Sequence, residues 1–226
     1  MLPTEKTSKQ TGLDRQVILI YGPPKIGKST FCSQAPNPLF IATEPGLNHL
    51  EVYQQPVATW EEIMATLADV AKGGHKFKNV VIDTVDNAYL MCSEYVCRKA
   101  GVPHPADMEY GKGFALVNAE FRRVLTKAGM LPYGLILTSH TVERERTSGG
   151  VTTSKTTSTL PDSARKVVMG YSDIILFATV HGDDNERVLK TKPAAGWEAG
   201  DRTGRLPETL PLSWDEFEKA YKRETK

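Results

Sequence analysis

Between residues 21 and 30 the chain reads YGPPKIGKST, which sets Gly22, Gly27, Lys28 and Ser29 in the spacing G-x-x-x-x-G-K-[ST]. Residues of these types at this spacing can hold the phosphates of a nucleotide. Glycines let the backbone curl until several N–H groups point at one anion, and a following helix adds its dipole. In this register Lys28 reaches the β- and γ-phosphates, and the Ser29 hydroxyl ligates Mg²⁺. Pro23 and Pro24 stiffen the turn and donate nothing, so Lys25, Ile26 and Gly27 supply most of the loop amides. Thr30 closes the stretch, and residues 22–30 together form the expected nucleotide contact.

Three further apolar runs downstream end in polar residues. In VVIDT, Asp83 stands at the C-terminal tip of a strand, the edge of an open α/β sheet that faces the phosphate loop. Its carboxylate there can hold a water on Mg²⁺, or simply end a buried strand. Asp86, three residues on, could instead cap the next helix. Glu44 ends PLFIATE, directly after the phosphate-loop helix. A carboxylate at that edge can orient and deprotonate an attacking water, whereas before Pro45-Gly46 it could equally be a solvated loop charge. LILTSH ends in Ser139 and His140, where a polar tip beside the γ-phosphate can sense its presence. A plain surface histidine is the alternative reading of His140.

The elements that must position these residues alternate between strand and helix patterns, as an α/β sheet requires. QVILIY precedes the loop and KSTFCSQA follows with helical spacing. TWEEIMATLADVAKGG carries a capping box, Thr59 with Glu62, and stops at Gly73-Gly74. KNVVIDT is a strand, VDNAYLMCSEYVCRKAG a helix ending at Gly101, YGKGFALVNAEFRRVLTKAG another helix and YGLILTSH another strand. SDIILFATV and ERVLKTK read as a hairpin about HGDDN. LSWDEFEKAYKRE reads as a helix capped by Ser213 with Glu216 at the box position. Residues 142–160, rich in Thr, Ser and Gly, show no useful periodicity and read as a loop. Residues 1–15 read as a flexible leader, 16–212 as the core and 213–226 as a C-terminal helix.

Composition narrows the remaining classes. With 226 residues and a net charge of +1, bulk electrostatics does not announce a nucleic-acid binder, although a local basic strip can be balanced elsewhere. Cys32, Cys92 and Cys97 lack paired metal-ligand spacing and read as buried free thiols of a reducing compartment. No apolar run approaches bilayer thickness, and the polar start MLPTEKTSKQTGLDRQ lacks a signal-peptide core. A cytoplasmic protein without membrane contact is expected.

The order of phosphate loop, strand-ending glutamate, VVIDT and polar-ended strand resembles the RecA-like ATPase core. The chain is most similar to short phage-borne RecA-like proteins of the Sak single-strand annealing type. GPPKIGKSTF, FIATEPG, VVIDTVD and GDRTGRLP carry the resemblance, over about residues 16 to 212. It implies an α/β fold of RecA-like P-loop type, with a mostly parallel sheet flanked by helices and a C-terminal β-hairpin region. It also implies ATP binding with Mg²⁺, slow or DNA-stimulated hydrolysis, and single-stranded DNA bound by an oligomer, a ring or filament. A single-strand-binding protein is a further implied partner, and the host cytoplasm the implied location. In such ATPases a late Lys or Arg reaches a neighbour's γ-phosphate; Lys190, Lys192 and Arg202 are the positions available, with Gly200 where a second cation often stands. The segment after LTSH is where this resemblance places DNA contacts, and there Arg144, Arg146 and Lys155 could meet phosphates. It lacks aromatic residues for stacking, and Glu143 and Glu145 oppose the basic charge. A small-molecule P-loop kinase, with RERT as its lid, and a nucleotide-dependent loader with little turnover are the rival readings.

Overall fold

A computed structural model of the chain describes residues 2, 4–6, 12–148, 151–182 and 184–223. Strand β1 (Val17–Tyr21) leads through the loop 22–27 into α1 (Lys28–Ser33). Then come β2 (Pro38–Ala42), β3 (Tyr53–Pro56), α2 (Trp60–Lys72), β4 (Asn79–Asp83) and α3 (Val85–Ala100). α4 (Lys112–Gly129) and β5 (Gly134–Ser139) precede the strands β6 (Thr141–Ser148) and β7 (Val151–Ser158). α5 (Asp162–Tyr171), β8 (Ile174–His181), β9 (Glu186–Lys190), β10 (Gly200–Asp201), β11 (Thr209–Pro211) and α6 (Trp214–Lys222) complete the chain.

Every residue of β1, β4 and β5 is buried, which is why these strands read as continuous apolar runs rather than alternating ones. They lie at the centre of a sheet ordered β11-β9-β8-β1-β5-β4-β2-β3. Pairing is parallel from β8 across to β3, and antiparallel where β9, β10 and β11 extend the other side. The expected mostly parallel sheet with a C-terminal hairpin is therefore present, in the arrangement of a P-loop NTPase core.

Strand alternation sorts the core into two layers. Leu19, Ile41, Ile82 and Leu137 face α2, α3, α4 and α5, burying Ile63, Cys92, Phe121 and Val168. Ile18, Ile20, Phe40, Val81 and Ile136 face the opposite side, against Phe31 of α1 and Trp214, Phe217 and Tyr221 of α6. Free, buried Cys32, Cys92 and Cys97 fit the thiol expectation. Leu13 is also buried, so the expected leader meets the core before residue 15; residues 7–11 lie outside those described.

Local signals held where side chains could cap, and failed in three places. The Thr59–Glu62 box opens α2, and Gly101 ends α3 in the left-handed region. Ser213 occupies the N-cap of α6 but makes no side-chain cap bond; the Trp214 N–H is instead taken by Gln34 Oε1 at 3.0 Å. β3 adds an edge strand that its exposed, mixed sequence did not announce. Most important, residues 141–148 and 151–158 form an antiparallel ribbon, not a loop, paired in register from Thr141–Ser158 to Ser148–Val151. Threonine-rich, β-branched sequence favours extended backbone even without an apolar stripe, so absence of periodicity was a poor guide to it.

The α6 contacts give a direct stability test. Phe217 is fully buried, with its ring centroid 5.8 Å from that of Phe31 and 5.5 Å from that of Trp214. Phe217→Ala should cost about 3–5 kcal/mol in urea unfolding. A loss under about 1 kcal/mol, the scale of a surface substitution, would show that α6 is not part of the core.

Candidate functional site

β1 delivers the phosphate loop to the C-terminal edge of the sheet. Its curl is forced by backbone conformations that few residues accept: φ is 64° at Lys25 and 111° at Gly27. Gly22 is equally constrained by space, because a Cβ there would lie 2.6 Å from the Ala178 carbonyl oxygen on β8. Lys28 is buried and donates from Nζ to the Gly22 carbonyl at 2.9 Å and the Pro23 carbonyl at 3.0 Å. Burial pushes its ammonium below the ordinary lysine range, while Asp83, Asp86 and Glu44 pull the other way.

The strand tips converge on this loop. Ser29 Oγ donates to Asp83 Oδ2 at 2.8 Å, and Thr138 Oγ1 of β5 donates to Asp83 Oδ1. Glu44 takes a hydrogen bond from Asn87 Nδ2 at 2.9 Å, and its Oε1 stands 3.4 Å from His140 Nε2. Residues 24–25, 27–30, 44–46, 83 and 84, with His49, His140 and Arg187, line one cleft of about 710 Å³. That volume suits a nucleotide-sized ligand. The structure thus brings Lys28, Ser29, Thr30, Asp83, Glu44 and His140 together, as the strand-end argument expects.

Asp86 is not a helix cap. Its carboxylate accepts from Ser139 Oγ at 2.9 Å, the His140 N–H at 3.1 Å and Thr159 Oγ1 at 2.6 Å. Because the Thr159 N–H also donates to the His140 carbonyl at 3.0 Å, Asp86 clasps both roots of the β6–β7 ribbon beside the cleft. Asn87, His49 and Arg187 were not singled out from sequence. Asn87 had a usable signal, a polar residue in the first turn after a strand tip; Arg187, on an antiparallel strand, had none.

The Ser29 hydroxyl and the Asp83 carboxylate offer hard oxygen ligands next to a phosphate site, the donor set that Mg²⁺ takes. Residues 14–203 match the family described as AAA domain. The chain belongs to this P-loop NTPase family. A relative is the SPbeta prophage-derived uncharacterized protein YorG of Bacillus subtilis (strain 168), 25% identical over 190 residues. The match takes in 80% of this chain and 56% of YorG, so the chain spans little more than half of that relative. Among the described residues, no helix is long and apolar enough to cross a membrane.

Other expected site residues lie outside the cleft of this AAA domain. Arg202 pairs with Asp173, Nε to Oδ1 at 3.1 Å, and Lys192 pairs with Asp201 at 3.1 Å. Asp173 precedes the first residue of β8, and Asp201 pairs with that first residue, Ile174. Both cations therefore sit at the N-terminal edge of the sheet, opposite the phosphate loop. Lys190 donates to Thr209 Oγ1 at 3.0 Å. On the ribbon, Arg144 is held by Asp162, Thr157 Oγ1 and the Leu160 carbonyl, and Lys155 by Glu198 at 3.3 Å. The Arg146 side chain lies outside the described residues.

Lys28→Ala should abolish tight Mg-ATP binding while leaving the fold intact, since it removes the charge partner of the phosphates from the first position of α1. Equilibrium binding and a thermal melt check this. Parental affinity in a folded variant would move the nucleotide elsewhere.

Proposed function

We propose that this AAA domain hydrolyses ATP in the cleft, acts as a head-to-tail oligomer and works on single-stranded DNA. The observation that carries the hydrolysis reading is Glu44, held by Asn87 and His140 across the cleft from Lys28 and Ser29. Glu44 takes a proton from water as the water oxygen attacks the γ-phosphorus. The bond to the ADP oxygen breaks, giving ADP and inorganic phosphate. Lys28 leaves its two carbonyl acceptors for phosphate oxygens, and the loop amides hold the β-phosphate. Ser29 and Asp83 are the residues that would hold Mg²⁺ here, and the ion would neutralise charge on the phosphates.

Assembly is supported by where the late cations lie. A residue that completes a neighbour's site must stand away from its own cleft, and Arg202 and Lys192 both do. Each must first exchange its intramolecular carboxylate, Asp173 or Asp201, for the neighbour's phosphate. The DNA reading rests on the RecA-like resemblance and on the ribbon clasped beside the cleft. Arg144 and Lys155 would likewise trade Asp162 and Glu198 for DNA phosphates, an exchange that costs affinity, while the phosphate contacts themselves weaken with salt.

Glu44→Gln should bind ATP as the parent does and lose about 10²–10⁴ in turnover, measured as phosphate release without any acceptor substrate. Lost affinity with turnover per bound ATP retained would assign Glu44 another role. Arg202→Ala should also bind ATP and turn over slowly. Mixing it with Glu44→Gln restores about a quarter of the interfaces if protomers combine randomly, so activity should return to a comparable fraction. A co-assembled mixture as inactive as either variant would exclude Arg202 as the trans-acting cation.

A further inference from the structure

The antiparallel extension of the sheet supplies one wall of the nucleotide cleft, and it places there a cation that the phosphate-loop motif does not include. β9 pairs with β8 so that Arg187 stands opposite Val180, near the C-terminal end of β8 and the phosphate-loop edge. Arg187 lines the same cleft as Lys28, Ser29, Glu44 and His140. A Cβ built on Gly27 would come within 3.5 Å of Arg187 Nη1 and 3.2 Å of Leu212 Cδ2. The guanidinium therefore rests against the last glycine of the loop.

Its backbone is fixed while its side chain is free. The Arg187 carbonyl accepts from the Leu212 N–H at 2.9 Å, and the next two residues, Val188 and Leu189, are buried. The side chain itself is exposed and makes no ion pair or hydrogen bond among the described residues. Arg98, Arg123, Arg144, Arg165 and Arg202, by contrast, are each held by a carboxylate. Lys28 is turned onto two carbonyls of its own loop, and Lys25 belongs to that loop too. Arg187 comes from the opposite wall with its donors unspent.

We propose that Arg187 is a second phosphate-binding cation of this cleft, donating to the polyphosphate of a nucleoside di- or triphosphate seated in the loop. The inference rests on the nucleotide-binding reading of the same site. A guanidinium presents a planar fork that matches two phosphate oxygens, and it stays charged at any working pH. Its position on a strand of the sheet, rather than on the loop, gives the nucleotide a contact from a separate element. β9 and β11 then help to hold the ligand as well as to extend the sheet.

Calorimetric titration of the full chain with Mg-ATP and with Mg-ADP tests this, using the parent, Arg187→Ala, Arg187→Lys and Lys28→Ala. Arg187→Ala should bind both nucleotides about 10- to 100-fold more weakly, the worth of one charge-assisted hydrogen bond or a bidentate pair. Arg187→Lys should recover part of that loss, and the melting midpoint without nucleotide should match the parent in both variants. Parental affinity in Arg187→Ala overturns the assignment, as does a loss that lysine does not lessen. A parent that binds no nucleotide defeats the reading of the whole cleft. A parent that binds, with Lys28→Ala failing and Arg187→Ala unaffected, defeats only the role of Arg187.

Discussion

The site is organised about one buried carboxylate. Asp83 ends β4 and accepts from Ser29 on the phosphate-loop helix and from Thr138 on the neighbouring strand β5. An ionised carboxylate at a buried position needs donors to offset its lost hydration. Here those donors come from two separate elements, so satisfying the charge also fixes the loop helix against the strand tips. The sheet order makes this possible: β5 lies between β1 and β4, and its tip brings Thr138, Ser139 and His140 between the loop and Asp83.

Lys28 faces the same constraint with the opposite sign. Burial disfavours its ammonium, and two backbone carbonyls satisfy it in the form described. Both arrangements are self-contained pairings of groups that nucleotide chemistry would otherwise use. On the proposed reading, ligand binding at this cleft is an exchange of partners, in which phosphate oxygens and Mg²⁺ would take over contacts already present. Arg202, Lys192, Arg144 and Lys155 are likewise each held by an intramolecular carboxylate, which the proposed roles would require them to exchange.

How much of this was legible in the sequence follows from which signals are local. The phosphate loop is a contiguous pattern, and Gly22 and Gly27 are demanded by clash and by φ, so it reads directly. Asp83, Glu44 and His140 were placed correctly because each ends an apolar run, and strand tips in a parallel sheet share one edge. Asp86 stayed open in the sequence because a residue in the first turn of a helix serves equally well as a cap or as a tertiary acceptor, and only its partners decide. The ribbon was missed because its strands are stabilised by each other and by ion pairs rather than by an apolar face. Arg187 was invisible for a related reason: an exposed arginine in a hairpin strand carries no mark of what lies across from it.

The account depends on Asp83 and Ser29 forming the metal side of a nucleotide site. The most direct measurement compares ATP affinity with and without Mg²⁺ in the parent and in Asp83→Asn, a substitution of equal size that keeps an acceptor for Ser29 or Thr138. The account predicts that Mg²⁺ tightens ATP binding in the parent and does so far less in Asp83→Asn. An equal effect of Mg²⁺ in both proteins would contradict it.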